Sequence, residues 1–154
     1  MAVQFAHGTG FRYSVSERVG FVRKDIPECP NRADDVMLVQ YLMKKWLGHL
    51  TGTILPNSVT LLVDGYCGPV TCLGIVMTQS RQIRFDHDQI KIYGESWGVV
   101  DPVKSSAALS HTTMGYLNDF GLHNIRGGIA DQGDCPPKLR AALLASAKPD
   151  PQRR

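Results

Sequence analysis

Four cysteines and five histidines are the residues of this chain that could bind a metal or act as nucleophiles. A structural zinc site usually shows paired cysteines about two to four residues apart, followed by a second pair. Cys67 and Cys72 have four residues between them, but Pro69 interrupts the spacing and no second pair follows. We therefore expect no metal and no other cofactor. The two cysteines are expected to be local thiols or, in an oxidising compartment, a disulfide, and the redox state of Cys29 and Cys135 is equally open.

Other catalytic groups form no compact motif. Cysteine and histidine partners can be far apart in sequence and still lie close together in the folded protein. A small thiol- or metal-dependent hydrolase is therefore a hypothesis, the third after the two functions described below. Asp86, His87 and Asp88 could hold a cation, although a short acidic turn is more often solvated. The segment "RGGIADQGD" lacks the lysine of a phosphate-binding loop. We expect a protein that is not an enzyme, with no catalytic residue.

Aromatic side chains are more informative, because rings beside turns can stack on sugar or peptide faces. Trp46 and Tyr116 fall on the apolar faces of predicted helices and are expected in the core. Tyr66 and Trp97 lie in turns next to glycine, where packing and ligand binding are equally good interpretations.

Composition sets the broad class. The 154 residues suit one domain, and hydrophobic residues at 43% with charged residues at 20% are typical of a soluble globular protein. No apolar run approaches the roughly 20 residues of a membrane span. The net charge of +3 is spread without a basic stripe, which argues against nucleic acid as a partner. No secretory signal is visible, so we expect a cytoplasmic protein, or one exported to the periplasm or cell envelope by a signal-independent route.

Hydrophobic spacing predicts a mainly α protein with short β pieces. Residues 1–30 are predicted to form an extended arm or hairpin, in which Phe11, Tyr13 and Val15 alternate with polar residues. A first helix follows an approximate capping box formed by Asn31 and Asp34. Its apolar face is expected to comprise Val36, Val39, Met43, Trp46 and Leu50.

Three further helices are predicted. The second begins at Pro69 and runs to about Ser80, and a short hairpin is expected within residues 82–93. The third lies within 106–120. Residues 122–148 form a loop and an added C-terminal helix that begins at Pro136 or Pro137, and 149–154 form a disordered tail. Leu139, Leu143 and Leu144 are expected to dock the last helix.

The stretch "VDGYCGPVTCLGIVMTQ" at 63–79 resembles the central motif of the peptidoglycan-binding-like domain family. Residues 34–48 resemble that family's first helix with its Leu-x-Gln-x-Leu core, and 98–102 with 113–119 resemble its second half. The resemblance implies a compact three-helix bundle over 31–121. Thr78 and Gly74 depart from the family pattern, which usually has an aromatic residue and alanine there. The matching positions are Val63, Asp64, Gly65, Gly68, Pro69, Thr71, Ile75 and Gln79.

The same motif has a structural interpretation in its own right. Asp64 can accept hydrogen bonds from backbone amides of the turn, and Gly65 and Gly68 permit positive φ. Pro69 fixes the angle at which the chain enters the helix. Thr71 can help to satisfy the amides of the first helical turn. We therefore expect Gly65, Gly68, Pro69 and Thr71 to be structural.

The resemblance implies a non-catalytic module of the bacterial cell wall that binds peptidoglycan or a related peptide-sugar ligand. Its groove would be formed by Asp64, Tyr66 and Gln79 together with Trp97, and any hydrolase that it serves would be a separate chain. The alternative is a protein-interaction adaptor, or an accessory or structural component of a secretion, toxin or phage-type assembly. The N-terminal arm and the absence of a visible signal sequence favour that alternative.

Overall fold

The computed structural model describes residues 1–7, 10–21, 28–47, 60–85, 97–104, 112–123 and 125–147. These residues are mainly α-helical, as predicted, with two small antiparallel sheets. The helices are α1 (Ala33–Leu47), α2 (Pro69–Phe85), α3 (Thr113–Gly121) and α4 (Pro137–Ser146). The strands are β1 (Val3–His7), β2 (Gly10–Ser14), β3 (Val19–Gly20) and β4 (Val99–Val100).

Helix α1 lies at the centre of the described structure and contacts α2, α3 and α4. Five apolar residues of α1 are fully buried, so other parts of the protein cover more than one side of this helix. They are Val36, Leu38, Val39, Leu42 and Met43. Helices α1 and α3 pack closely, since a Cβ added at Gly121 would lie 2.8 Å from the carbonyl oxygen of Leu42. Of the predicted apolar face, Val36, Val39, Met43 and Trp46 are buried, as expected.

The N-terminal strands belong to the core. Strands β1 and β2 form an antiparallel hairpin, so the strand predicted at 11–15 pairs with a strand that precedes it in the chain. Strand β3 pairs with β4. Tyr13, Val15 and Val19 are each at most 1% exposed. The side-chain amide of Asn118 in α3 accepts from the N–H of Tyr13 (2.7 Å) and donates to its carbonyl (2.8 Å). These bonds fix β2 to α3.

The start of α1 differs from the sequence prediction. Asn31 does not cap the helix; its side-chain amide accepts from the N–H of Gly20 and donates to the carbonyl of Gly20. Asp34 accepts from the N–H of Ala2, and the buried carboxylate of Asp35 accepts from Ser16 and Glu17. The polar residues that resembled a capping box therefore hold the N-terminal segment against α1.

Helix α2 continues five residues beyond the predicted Ser80 to Phe85. The alternation of Ile83 and Phe85 suggested a strand, but no glycine or proline interrupts residues 81–85, and the helix continues through them. The rest of the predicted hairpin, residues 86–93, lies outside the described residues, as do Leu50 and the predicted tail.

The last helices also refine the predictions. Helix α3 begins after Thr112, whose hydroxyl accepts from the N–H of Gly115 at 3.0 Å. Helix α4 begins at Pro137, and Leu139 and Leu143 are fully buried as expected. Leu144 is 62% exposed, so the prediction that it docks the helix was wrong. Successive residues of an α-helix differ by about 100° in direction, so residue 144 points away from the face that Leu139 and Leu143 share.

Candidate functional site

The Asp64-Gly65 turn before α2 is held by one buried side chain, Gln40 of α1. Its Oε1 accepts from the backbone N–H groups of Asp64 (3.1 Å) and Gly65 (2.9 Å). Its Nε2 lies within hydrogen-bonding distance of Asp64 Oδ1 (2.9 Å), the carbonyl of Tyr66 (3.0 Å) and Thr71 Oγ1 (2.9 Å). Gln40 is 1% exposed, so the turn is tied directly to the core.

Asp64 also closes the turn from within, as the sequence predicts. Its Oδ1 accepts from the N–H of Tyr66 at 2.9 Å. This bond and that from Gln40 lower the pKa of the Asp64 carboxyl below its ordinary value. Asp64 is nevertheless exposed, so a carboxylate that is charged at neutral pH faces solvent at this turn.

Two glycines shape the turn for different reasons. Gly65 has φ +80°, as predicted, and a Cβ there would lie 2.8 Å from the carbonyl oxygen of Ala33. Gly68 does not have the positive φ that we predicted. Its constraint is the Tyr66 ring, because a Cβ on Gly68 would lie 2.8 Å from Tyr66 Cε1. The ring of Tyr66 thus lies over the backbone of Gly68 while its residue stays 72% exposed.

Thr71 and Pro69 have the structural positions that were expected. Pro69 is the first residue of α2, where its missing N–H has no intrahelical partner to lose. The Thr71 hydroxyl contacts the carbonyl of Tyr66 at 3.3 Å and accepts from Gln40. Thr71 therefore bonds the turn and α1, and not the first-turn amides that we predicted.

A cavity of about 200 Å³ lies beside this turn. Residues from α1, from the segment before the turn and from the start of α2 line it. Leu62, at 58% exposure, and Tyr66 are prominently exposed among them. Its lining includes Gln40, Leu61, Leu62, Asp64, Tyr66 and Pro69. The site therefore combines apolar surface, an aromatic ring and a carboxylate.

Gln79 lies elsewhere than the predicted groove. It is fully buried, and its Oε1 accepts from the N–H of Gly98 at 2.7 Å. Its Nε2 donates to the carbonyl of Val99 (2.9 Å) and contacts Thr113 Oγ1 (3.2 Å). Gln79 is thus an internal residue that holds a second turn. It does not line the cavity at Asp64 and Tyr66.

Trp97 is 43% exposed and immediately precedes Gly98 in that second turn. Like Gln79, it does not line the cavity, so the structure brings together only Asp64 and Tyr66 of the four predicted groove residues. Sequence reasoning did not assign a role to Gln40 or to Leu62. Gln40 is the glutamine of the Leu-x-Gln-x-Leu pattern, and this pattern was the sequence feature that could have identified it.

Cys67 and Cys72, which the sequence suggested as local thiols or a disulfide, are close in space. Cys67 Sγ and Cys72 Sγ lie 3.7 Å apart, and both are free thiols. Within the described ranges, no three His, Cys, Asp or Glu side chains are placed to hold a metal ion. His87 and the acidic residues beside it lie outside those ranges. No helix in the described part of the chain is long and apolar enough to cross a membrane.

The predicted core pair is confirmed. Trp46 and Tyr116 are 3% and 8% exposed, and their rings meet edge to face with centroids 5.5 Å apart. These aromatics belong to the interior, whereas Tyr66 and Trp97 are exposed aromatic residues in turns of the described part of the chain. Comparison of the chain with protein-family models, with curated proteins and with solved structures gave no match.

Proposed function

We propose that this protein is a non-catalytic binding module that recognises bacterial cell-wall peptidoglycan or a related peptide-sugar ligand at the cavity beside the Asp64-Gly65 turn. The observation that carries the proposal is the position of Tyr66. Its exposed ring lies over Gly68 at the rim of a cavity of about 200 Å³, on a turn fixed to the core by Gln40. The backbone that carries this ring is already fixed, so ligand binding does not have to order the turn.

The chemistry of the cavity suits a ligand that is partly sugar and partly peptide. Tyr66 can stack on the apolar face of a sugar ring, and Leu62 can contact small side chains of a peptide. The Asp64 carboxylate can accept hydrogen bonds from hydroxyl, amide or ammonium groups of the ligand. Because Asp64 is already bonded to the turn, this acceptor is positioned before the ligand arrives.

We further infer that residues 31–121 form a three-helix bundle of the peptidoglycan-binding-like type, to which α4 is added. The packing of α1 against both α2 and α3 supports this arrangement. So does the use of buried glutamines to hold the turns before α2 and α3. The resemblance of 63–79 to the family motif remains the link between this fold and the cell wall. A module with this ligand would act at the cell envelope, and any hydrolase would be another chain.

Co-sedimentation with purified peptidoglycan sacculi tests the proposal. The native chain should sediment with sacculi at low salt, and Tyr66→Ala should weaken binding by about tenfold, which corresponds to about 1.4 kcal/mol. Phe11→Ala is the matched control, since Phe11 is a partly exposed aromatic on β2 outside the cavity. Circular dichroism should show that both variants are folded. A native chain that stays in the supernatant would refute the cell-wall function.

A second function is favoured by the exposed apolar side chains of the same region. Leu62 is 58% exposed beside the cavity, and Leu73 is 42% exposed on α2. Exposed leucines of this kind are suited to a protein partner. The protein would then be an adaptor, or an accessory or structural component of a secretion, toxin or phage-type assembly. In that case Leu62→Ser would abolish capture of the partner, while the native chain would not bind sacculi.

A further inference from the structure

The thiols of Cys67 and Cys72 form a close pair that the proposed binding function does not use. Their sulfur atoms are 3.7 Å apart, compared with about 2.05 Å in a disulfide. Cys67 lies in the turn before α2, and Cys72 lies in the first turn of that helix. A bond between them requires the sulfurs to approach by less than about 2 Å, a distance that side-chain rotation and a small shift of the turn can supply.

The two thiols have different surroundings. Cys72 is 9% exposed, and its position near the N-terminal amides of α2 favours the thiolate. The close contact with the Cys67 thiol lowers the pKa of Cys72 to about 7. The same contact, with burial, raises the pKa of Cys67. Cys72 is therefore the nucleophile of the pair, and Cys67 is the partly exposed thiol beside it.

The remaining cysteines are poorer nucleophiles. Burial raises the pKa of both Cys29 and Cys135, which keeps these side chains protonated at neutral pH. Both are buried within the described structure. A reagent that attacks thiolates should therefore select Cys72 from the four cysteines.

We propose that Cys67 and Cys72 are an oxidisable dithiol that reduces a hydroperoxide and becomes an intramolecular disulfide. In the first step the Cys72 thiolate attacks the hydroperoxide, an S–O bond forms and the O–O bond breaks. The departing alkoxide or hydroxide takes up a proton and leaves as alcohol or water. Cys72 is then a sulfenic acid, oxidised by two electrons.

In the second step the Cys67 sulfur attacks the Cys72 sulfur. The S–S bond forms, the S–O bond breaks, and the hydroxyl group leaves with the Cys67 proton as water. The two thiols have lost two electrons and two protons, and the hydroperoxide has accepted them. The disulfide joins Cys67, which follows Tyr66, to the first turn of α2. It also removes the thiol hydrogen of Cys67, whose Sγ lies 3.6 Å from the carbonyl oxygen of Gly20.

Trypsin provides a direct test, since the peptide 46–81 contains Cys67 and Cys72 and neither of the other cysteines. Reduced native protein is treated with a small excess of hydrogen peroxide, its free thiols are alkylated, and the digest is analysed by mass spectrometry. We expect peptide 46–81 to lose two hydrogen atoms and to resist alkylation, while Cys29 and Cys135 are alkylated. Oxidation should be about tenfold faster in the folded than in the urea-unfolded chain.

Variants separate the two steps. Cys67→Ser should stop at the sulfenic acid, which the diketone dimedone traps on Cys72. Cys29→Ser is the matched control and should form the disulfide at the native rate. Full alkylation of peptide 46–81 in folded native protein after peroxide treatment would overturn the proposal. A disulfide between Cys72 and Cys29, or equal rates in the folded and unfolded chains, would overturn it as well.

Discussion

Gln40 of α1 and Gln79 of α2 hold two successive glycine turns with equivalent hydrogen bonds. Each Oε1 accepts from the N–H of a glycine whose φ is near +80°. Each Nε2 interacts with the carbonyl of the next residue and with a threonine in the first turn of the following helix. The partners are Gly65, Tyr66 and Thr71 for Gln40, and Gly98, Val99 and Thr113 for Gln79. The same local structure therefore occurs twice, before α2 and before α3.

Replacing either glutamine by leucine should destabilise the fold, because several turn groups would lose their partners. We expect Gln79→Leu to cost about 3 kcal/mol, since Gly98 and Val99 are buried. Gln40→Leu should cost less, about 2 kcal/mol, because the turn that it holds is partly exposed to water. Urea unfolding followed by circular dichroism measures both changes.

Gln132→Leu is the control for these two variants. Its Nε2 also bonds backbone carbonyls, those of Arg126 and Gly128, but at a more exposed position. We expect a change within about 1 kcal/mol. Losses of similar size in all three variants would contradict a special role for Gln40 and Gln79.

Alanine at Gly65 and at Gly98 should have different effects despite nearly identical backbone angles. Both glycines have φ near +80°, which costs an L-residue about 1–2 kcal/mol. The new Cβ at position 65 would lie 2.8 Å from the Ala33 carbonyl oxygen, whereas the nearest neighbour at position 98 is a Val76 methyl at 3.6 Å. Thermal unfolding should show a lower melting temperature for Gly65→Ala than for Gly98→Ala. Equal losses would mean that the contact with Ala33 relaxes without cost.

Gly68→Ala should disturb binding more than stability. Its Cβ would lie 2.8 Å from the Tyr66 ring, and an exposed side chain can turn away at little cost. We expect a loss of stability below about 1 kcal/mol, together with weaker sedimentation with sacculi. Tyr66→Phe is the companion variant, since it keeps the ring in place and should keep most of the affinity. Unchanged binding by Gly68→Ala would show that the position of the ring over Gly68 is unimportant.

Asp64→Asn should reduce the acid sensitivity of the protein. The folded-state pKa of Asp64 lies below its ordinary value of 3.8, so the carboxylate stabilises the fold above that pH. This contribution is lost as the pH falls through the folded-state pKa. Between about pH 5 and pH 2 the native chain should lose more stability than the variant, by less than about 1 kcal/mol because Asp64 is exposed.

Urea midpoints measured at several pH values test this prediction. Other carboxyl groups titrate in both proteins, so the difference between the two curves isolates Asp64. Parallel curves across the acid range would show that the hydrogen bonds from Tyr66 and Gln40 do not favour the charged form.

Much of the helical structure is predictable because the local signals agree with the tertiary packing. The helical spacing of Val36, Val39 and Met43 identifies α1, and Pro69 marks the first residue of α2. The end of α2 is less predictable because Ile83 and Phe85 fit a strand or a helix over so short a run. The departures at 74 and 78 become understandable only in three dimensions. A Cβ at Gly74 would lie 3.0 Å from Met43 Sδ, and Thr78 bonds the Gly74 carbonyl.

The candidate site was only partly predictable from the sequence. Asp64 and Tyr66 are neighbours in the chain, so their common turn follows from local residues. Gln79 lies in the same sequence motif, yet it is buried beside Gly98, because about ten residues of helix carry it roughly 15 Å from the turn. The role of Gln40 depends on packing between α1 and a turn that is 24 residues away in sequence. The sequence motif alone does not show this contact, because the contact depends on how the residues between α1 and the turn fold.

The two hydrogen bonds between Asn118 and Tyr13 have a consequence for the order of folding. They join residues 105 positions apart, so the loop they close is among the longest that this chain can make. During synthesis the N-terminal strand leaves the ribosome long before its partner helix exists. We expect pulse-labelling hydrogen exchange to find the Tyr13 amide protected later than the amides of α1, since local helical contacts form before distant ones. The strand β2, which is made before α3, would then be among the last elements to acquire its native place.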